Sequence, residues 1–175
     1  RCWYERAYVL YCDRHDDVGQ LLSWAAIVET IFLERDDFSM LRSWIVVGEQ
    51  LLDDCSALLT GELEQRVVAA MFSAIMHGQP DHPDIGIWAQ RLFELLQNID
   101  DDSQRLLLGV PLFIYYTKWL GMPARAEIVL DMLRPPPECR QLLTPVARMR
   151  GIFYSIFSQS MRALVLATMF RLINT

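Results

Sequence analysis

A chain of 175 residues, 53 % apolar and 11 % aromatic, is long enough to bury a core, which excludes a disordered tail. Its net charge of −6 and scattered basic residues argue against a grip on nucleic acid, where a basic surface supplies most of the affinity. The longest nearly apolar stretch, Leu106 to Tyr116, falls far below the roughly 20 residues that span a bilayer, and the run Leu21 to Leu33 is broken by Glu29.

Helix signals dominate, and the pattern predicts nine helices: 2–13, 17–35, 38–54, 61–77, 84–98, 102–120, 123–134, 139–158 and 160–174. The first carries charges in Arg1-Cys2-Trp3-Tyr4-Glu5-Arg6, where a signal peptide would need an apolar run, so none is expected. Asp16-Asp17, Asp36-Asp37 and Asp101-Asp102 each precede an apolar segment, where a carboxylate can accept free N–H groups of a first turn. Gly78-Gln79-Pro80-Asp81-His82-Pro83 interrupts the chain after the fourth helix. Gly121 suits a C-terminal cap and Pro123 a first turn, while Pro135-Pro136-Pro137 ends the seventh helix. Pro111 and Pro145 fall inside predicted helices, so a kink or an early start is expected at each.

An internal repeat organises these helices. Segments opening at Leu21, Arg66 and Arg105 read alike, at steps of 45 and 39 residues. Independently, Trp44 followed by Leu51-Leu52 matches Trp88 followed by Leu95-Leu96, a step of 44 residues, and Ala126 to Leu133 offers a third copy without the Trp. One helix class is apolar nearly all round and is expected to be buried on both sides. The other is amphipathic, with Trp88, Leu92, Leu95 and Leu96 on one stripe and Gln90, Arg91, Glu94 and Gln97 facing elsewhere. Two alternating classes with a period near 40 predict an all-α fold: a right-handed superhelix of stacked antiparallel helix pairs with a concave binding face.

Several of these residues carry a family resemblance. Trp24-Ala25-Ala26-Ile27-Val28, Trp44-Ile45, Met71-Phe72-Ser73-Ala74, Gln79-Pro80-Asp81-His82-Pro83-Asp84, Trp88-Ala89, Gln104-Arg105-Leu106, Tyr115-Tyr116 and Gly121-x-x-x-Arg125-Ala126 resemble one group. That group is the tetratricopeptide-like superhelical sensor region of large bacterial signal-transduction ATPases of the maltose-activator type. The steps exceed the about 34 residues of a strict tetratricopeptide repeat. The Trp-x-x-Leu-Gly-x-x-Tyr set is also out of register, so the resemblance is to a tetratricopeptide-like pattern. It implies a single helical-repeat domain, 1–175, cut from a longer transcriptional regulator. Its partners would be the other domains of that polypeptide, together with a small-molecule inducer or a protein bound on the concave face. No phosphate-binding Gly-x-x-x-x-Gly-Lys-[Ser/Thr] loop occurs, so the ATPase would lie elsewhere. A free-standing protein–protein scaffold is the alternative.

The chemistry-bearing residues are few. Cys2, Cys12, Cys55 and Cys139 form no Cys-x-x-Cys pair and read as reduced thiols of a cytoplasmic protein. His15 and His82 fall in predicted inter-helix loops and His77 at the end of the predicted helix 61–77, and a metal site from His77, His82, Asp81 and Asp84 is outweighed by a solvated loop. No Gly-x-Ser-x-Gly elbow or acid–base cluster suggests an enzyme, and no cofactor or metal is implied. Glu29, interrupting an apolar helix, is expected to be buried and paired with Arg66 or Arg105, as a structural ion pair or around a ligand. Tyr115, Tyr116 and Trp119 stand together as core or as groove lining. The two tyrosines, adjacent on a helix, cannot both face one way. The apolar face of Met161 to Ile173 would favour homo-oligomers if left uncovered.

Overall fold

The computed structural model describes residues 1–133 apart from 35, 36 and 100, with the backbone alone at 102 and 103. The chain separates into two compact units, Arg1–Met132 and Leu133–Thr175, and the architecture below is that of the first. The predicted helices 139–158 and 160–174, the breaks at Pro135-Pro136-Pro137 and Pro145, and Cys139 lie outside the described residues.

Among the described residues every regular element is helical. The order is α1 (Cys2–Asp13), α2 (Asp17–Glu34), α3 (Leu41–Cys55), α4 (Gly61–Gly78), α5 (Ile85–Gln97), α6 (Asp102–Ile114) and α7 (Pro123–Met132). Short 3₁₀ turns at Phe38–Met40 and Ser56–Leu58 flank α3. Aspartates start three of these segments. Gly19 N–H donates to Asp16 Oδ1 at 2.9 Å, Ser39 N–H to Asp37 Oδ1 at 2.8 Å and Gln104 N–H to Asp101 Oδ1 at 2.8 Å. Gly121 closes the sixth helical segment with φ +60°, the left-handed conformation a glycine adopts most easily.

The predicted helix 102–120 is not a single α-helix. It changes at Tyr115 into a π-turn, Tyr115–Trp119, four residues after Pro111. Pro111 has no N–H to offer the preceding turn, so the ladder is already broken there. Beyond it Leu120 N–H donates to the Tyr115 carbonyl at 3.1 Å and Met122 N–H to the Tyr116 carbonyl at 2.7 Å, both wider than the α spacing. A wider turn sets successive side chains at less than the usual angle of about 100°. Tyr115 and Tyr116 are consequently both buried, against the expectation that only one could face inward.

Each helix packs chiefly on those one or two places along the chain: α2 on α1, α3 and α4; α4 on α3, α5 and α6; α7 on α6 and α5. The core follows from the apolar helices. Leu21, Trp24, Ile27, Val28 and Ile31 of α2 are buried with Val67, Met71, Phe72 and Ile75 of α4, because neither helix has a polar face to give to solvent. α6 departs from that expectation: Leu108 and Leu112 are buried, but Leu107 is exposed. The amphipathic helices contribute one stripe each, Leu41, Ile45, Leu51 and Leu52 from α3 and Ala89, Leu92 and Leu96 from α5.

Trp24 is the keystone. Its fully buried indole donates through Nε1–H to the Trp44 carbonyl at 2.8 Å, tying α2 to α3. Gly48 makes that approach possible, since a Cβ there would press on indole Cε2 at 2.7 Å and Met71 Cε at 2.8 Å.

Candidate functional site

A groove of about 620 Å³ runs along the outer side of α5, open to solvent. Its length comes from α5, where positions 87, 90/91, 94 and 98 recur at helical spacing on the face turned away from the core. Its side wall begins at Glu64 in the first turn of α4. Gly86 opens one end, with nothing within 4 Å of where a Cβ would stand, and beside it Ile87 is 66 % exposed. Leu95, half-buried, adds a second apolar contact in the lining.

The polar lining is held in place by its own bonds. Arg91 lies over the Trp88 ring, 5.8 Å from its centroid, and donates to Glu64 Oε1 from Nη2 at 2.8 Å and from Nε at 3.3 Å. Gln90 Nε2 donates to Glu94 Oε1 at 2.9 Å. Asn98 Nδ2 donates to the Glu94 carbonyl at 2.9 Å. Two carboxylates and one already engaged guanidinium leave the groove acidic.

The residues singled out by sequence do not converge there. Arg66 pairs with Glu29 in a two-point ion pair between α4 and α2, Nε to Oε1 at 2.9 Å and Nη2 to Oε2 at 2.8 Å. The Glu29 hydrogen bond raises the Arg66 pKa above its ordinary value. Both side chains are about two-fifths exposed, so Glu29 is not the buried carboxylate expected of it. It sits at the edge of an otherwise buried helix, where Arg66 reaches it from the next apolar helix. Arg105 does not join them. It donates to the Ile99 carbonyl from Nη2 at 2.6 Å and from Nε at 3.2 Å, fastening the entry of α6. Tyr115 meets Phe72 edge-on at 5.3 Å, and burial pushes its phenol pKa up. Tyr116 lies under Arg125, 5.7 Å from the ring centroid, while Trp119 is 46 % exposed.

His15 lies exposed between α1 and α2 as expected, while His77 is half-buried and His82 buried, unlike residues of a solvated loop. His77 is inside α4, its ring 4.9 Å from Phe32 and 5.3 Å from Phe38, with Nδ1 2.9 Å from the Ser73 carbonyl. Burial lowers its pKa below the usual 6.5, and Lys118 acts in the same direction. His82 does lie between α4 and α5, but it is buried and bonded to Glu49 of α3, Nε2 to Oε1 at 3.0 Å. Glu49, His82 and Asp84 place one ligand atom each within 4.8 Å of one another. Their hydrogen bonds define the chemistry. The Asp84 N–H donates to His82 Nδ1 at 3.2 Å, so the ring proton sits on Nε2 and is directed at Glu49. These bonds make the trio a strap from the α4–α5 loop to α3. Glu49 was invisible to sequence reasoning because it lies 33 residues from His82.

Cys2, Cys12 and Cys55 carry free thiols, and among the described residues no helix is long and apolar enough to cross a membrane. No protein family, curated protein or solved structure matches the chain.

Proposed function

We propose that this chain is a non-catalytic helical-repeat interaction module that binds a protein partner along the outer side of its helix pairs. The observation that carries this reading is the open groove along α5. Small-molecule sites usually enclose most of their ligand. A groove open along its length, lined by α5 and the start of α4, suits a segment of another chain. Two further points support the repeat. The apolar helices α2, α4 and α6 pack on one another in succession, the amphipathic α3 and α5 each pack on the helices before and after them, and α7 packs on α6, as stacked antiparallel pairs would.

The narrower reading, a sensor region of a bacterial ATP-dependent transcriptional regulator, rests on the residues that resemble the maltose-activator type. In it the partner is another domain of the same polypeptide, and an inducer binds near Arg66, Arg105 or Tyr116. The burial of Tyr116 and the Arg105 bonds to Ile99 favour the partner-binding version over an inducer pocket at those positions.

Site-specific photo-crosslinking in the native host tests the proposal. A crosslinking amino acid replacing Ile87 is expected to give one discrete adduct with one protein, absent when the crosslinker replaces Leu58, exposed beyond the C-terminus of α3. Adducts that are equally heterogeneous at both positions would overturn it.

A further inference from the structure

We infer that the α5 groove selects a basic, amphipathic helical segment, an inference that rests on the interaction-module reading and names the partner's chemistry. The groove offers an apolar strip and unspent acidity side by side. Ile87 and Leu95 supply the strip, and the space over Gly86 admits a side chain beside them.

The acidity follows from the bonding. Both Arg91 donors reach the same oxygen of Glu64, Oε1, and among the described residues Oε2 accepts no hydrogen bond. Glu94 likewise accepts through Oε1 from Gln90, and its Oε2 takes no bond among the described residues. Arg91 is held by Glu64 and by the Trp88 ring, so it is not available to neutralise Glu94. A Lys or Arg entering the groove would find two carboxylate oxygens ready to accept, at a rim where pairing with a charge costs little desolvation.

The dimensions set the form of the segment. Gly86 to Asn98 covers about 18 Å of helix axis at 1.5 Å per residue, which matches about three turns of a docked helix. Leucines at helical spacing would face Ile87 and Leu95, with Lys or Arg one turn away facing Glu64 and Glu94. The net charge of −6 draws a basic segment in and repels nucleic acid and anionic membrane.

The test is fluorescence anisotropy with three labelled helical peptides of equal length: Leu/Lys amphipathic, Leu/Glu amphipathic, and Ser/Lys carrying charge without an apolar face. The Leu/Lys probe is expected to bind saturably and the other two at least about tenfold more weakly. Three variants, checked for folding by circular dichroism, locate the contact. Gly86→Leu fills the groove without a clash, because its Cβ meets open space. Glu94→Lys reverses the rim charge. Asp53→Lys makes the same net charge change on an exposed position of α3 that does not line the groove. Gly86→Leu and Glu94→Lys are each expected to weaken the Leu/Lys probe about tenfold, and Asp53→Lys to change it less than about twofold. Equal binding of the Leu/Lys and Leu/Glu probes, no effect of Gly86→Leu, or equal effects of Asp53→Lys and Glu94→Lys would overturn the inference. If the Leu/Lys probe fails while the position-87 adduct persists, this inference falls and the interaction-module reading stands. If both fail, both fall.

Discussion

Replacing Gly48 by Ala puts the packing of Trp24 to a quantitative test. The new methyl would stand 2.7 Å from indole Cε2 and 2.8 Å from Met71 Cε. The Met71 terminus can swing away. The indole is held, because it is fully buried and donates to the Trp44 carbonyl at 2.8 Å. Overpacking of this kind costs about 1–3 kcal/mol. If the indole shifts far enough to lose its partner, a buried donor and acceptor add about 1–3 kcal/mol. Against this, Ala gains about 1 kcal/mol over Gly in the middle of a helix. The net expectation is a destabilisation of up to about 2 kcal/mol if the indole keeps its partner and about 1–5 kcal/mol if it loses it, or a Tm lower by up to roughly 15 °C for a chain of this size. Gly86→Ala is the internal control, since nothing lies within 4 Å of its Cβ, and it should stabilise by up to about 1 kcal/mol. Urea denaturation followed by tryptophan fluorescence measures both. A Gly48→Ala protein stabilised as much as the Gly86→Ala control would refute the close approach of Trp24 to α3.

Two further outcomes follow from the charged groups. Because the half-buried His77 resists protonation, the unfolded chain binds a proton that the folded one does not once the pH drops below the usual 6.5. Stability from this residue is intact above that pH and declines below it, by at most about 1.4 kcal/mol per pH unit. His77→Phe, which keeps an aromatic ring beside Phe32 and Phe38, should flatten the acid limb of a Tm-against-pH profile, and an unchanged limb would count against the burial. Removing Arg66 should cost less than about 1 kcal/mol, because both members of the Glu29 pair are about two-fifths exposed. Arg66→Ala measured at low and high salt should show the difference shrinking as salt rises; a loss of several kcal/mol at either salt would mean the pair is buried.

The parts of the fold that sequence made legible are those governed by local chemistry. Aspartates before apolar runs mark the starts at Asp16, Asp37 and Asp101. An apolar residue on every side of α2 and α4 marks them as buried, and the stripe of α5 marks its inner face through Leu92 and Leu96. What was not legible depends on residues far apart in the chain or on a local defect. His82 is buried because Glu49 comes from another helix, and nothing in its tetrad of loop neighbours carries that information. The joint burial of Tyr115 and Tyr116 depends on a π-turn that an α-helical wheel cannot represent, although Pro111 marks where the ladder breaks. Glu29 pairs with Arg66, one of its two expected partners, but is not buried, since an apolar sequence context does not say which edge of the helix a neighbour leaves uncovered. The groove had one sequence signal, Gly86 beside Ile87 on the polar side of an amphipathic helix, and its meaning depended on where Glu64 of α4 came to lie.

The central claim is that the helix pairs are copies of one stacking unit. It is tested most directly by an experimental structure in which α2–α3 is superposed on α4–α5, and α4–α5 on α6–α7. The account predicts that the two superpositions share one rotation and one translation, with Trp44 falling on Trp88 and Leu51-Leu52 on Leu95-Leu96. Two unrelated transformations, or a register that separates those residues, would contradict it.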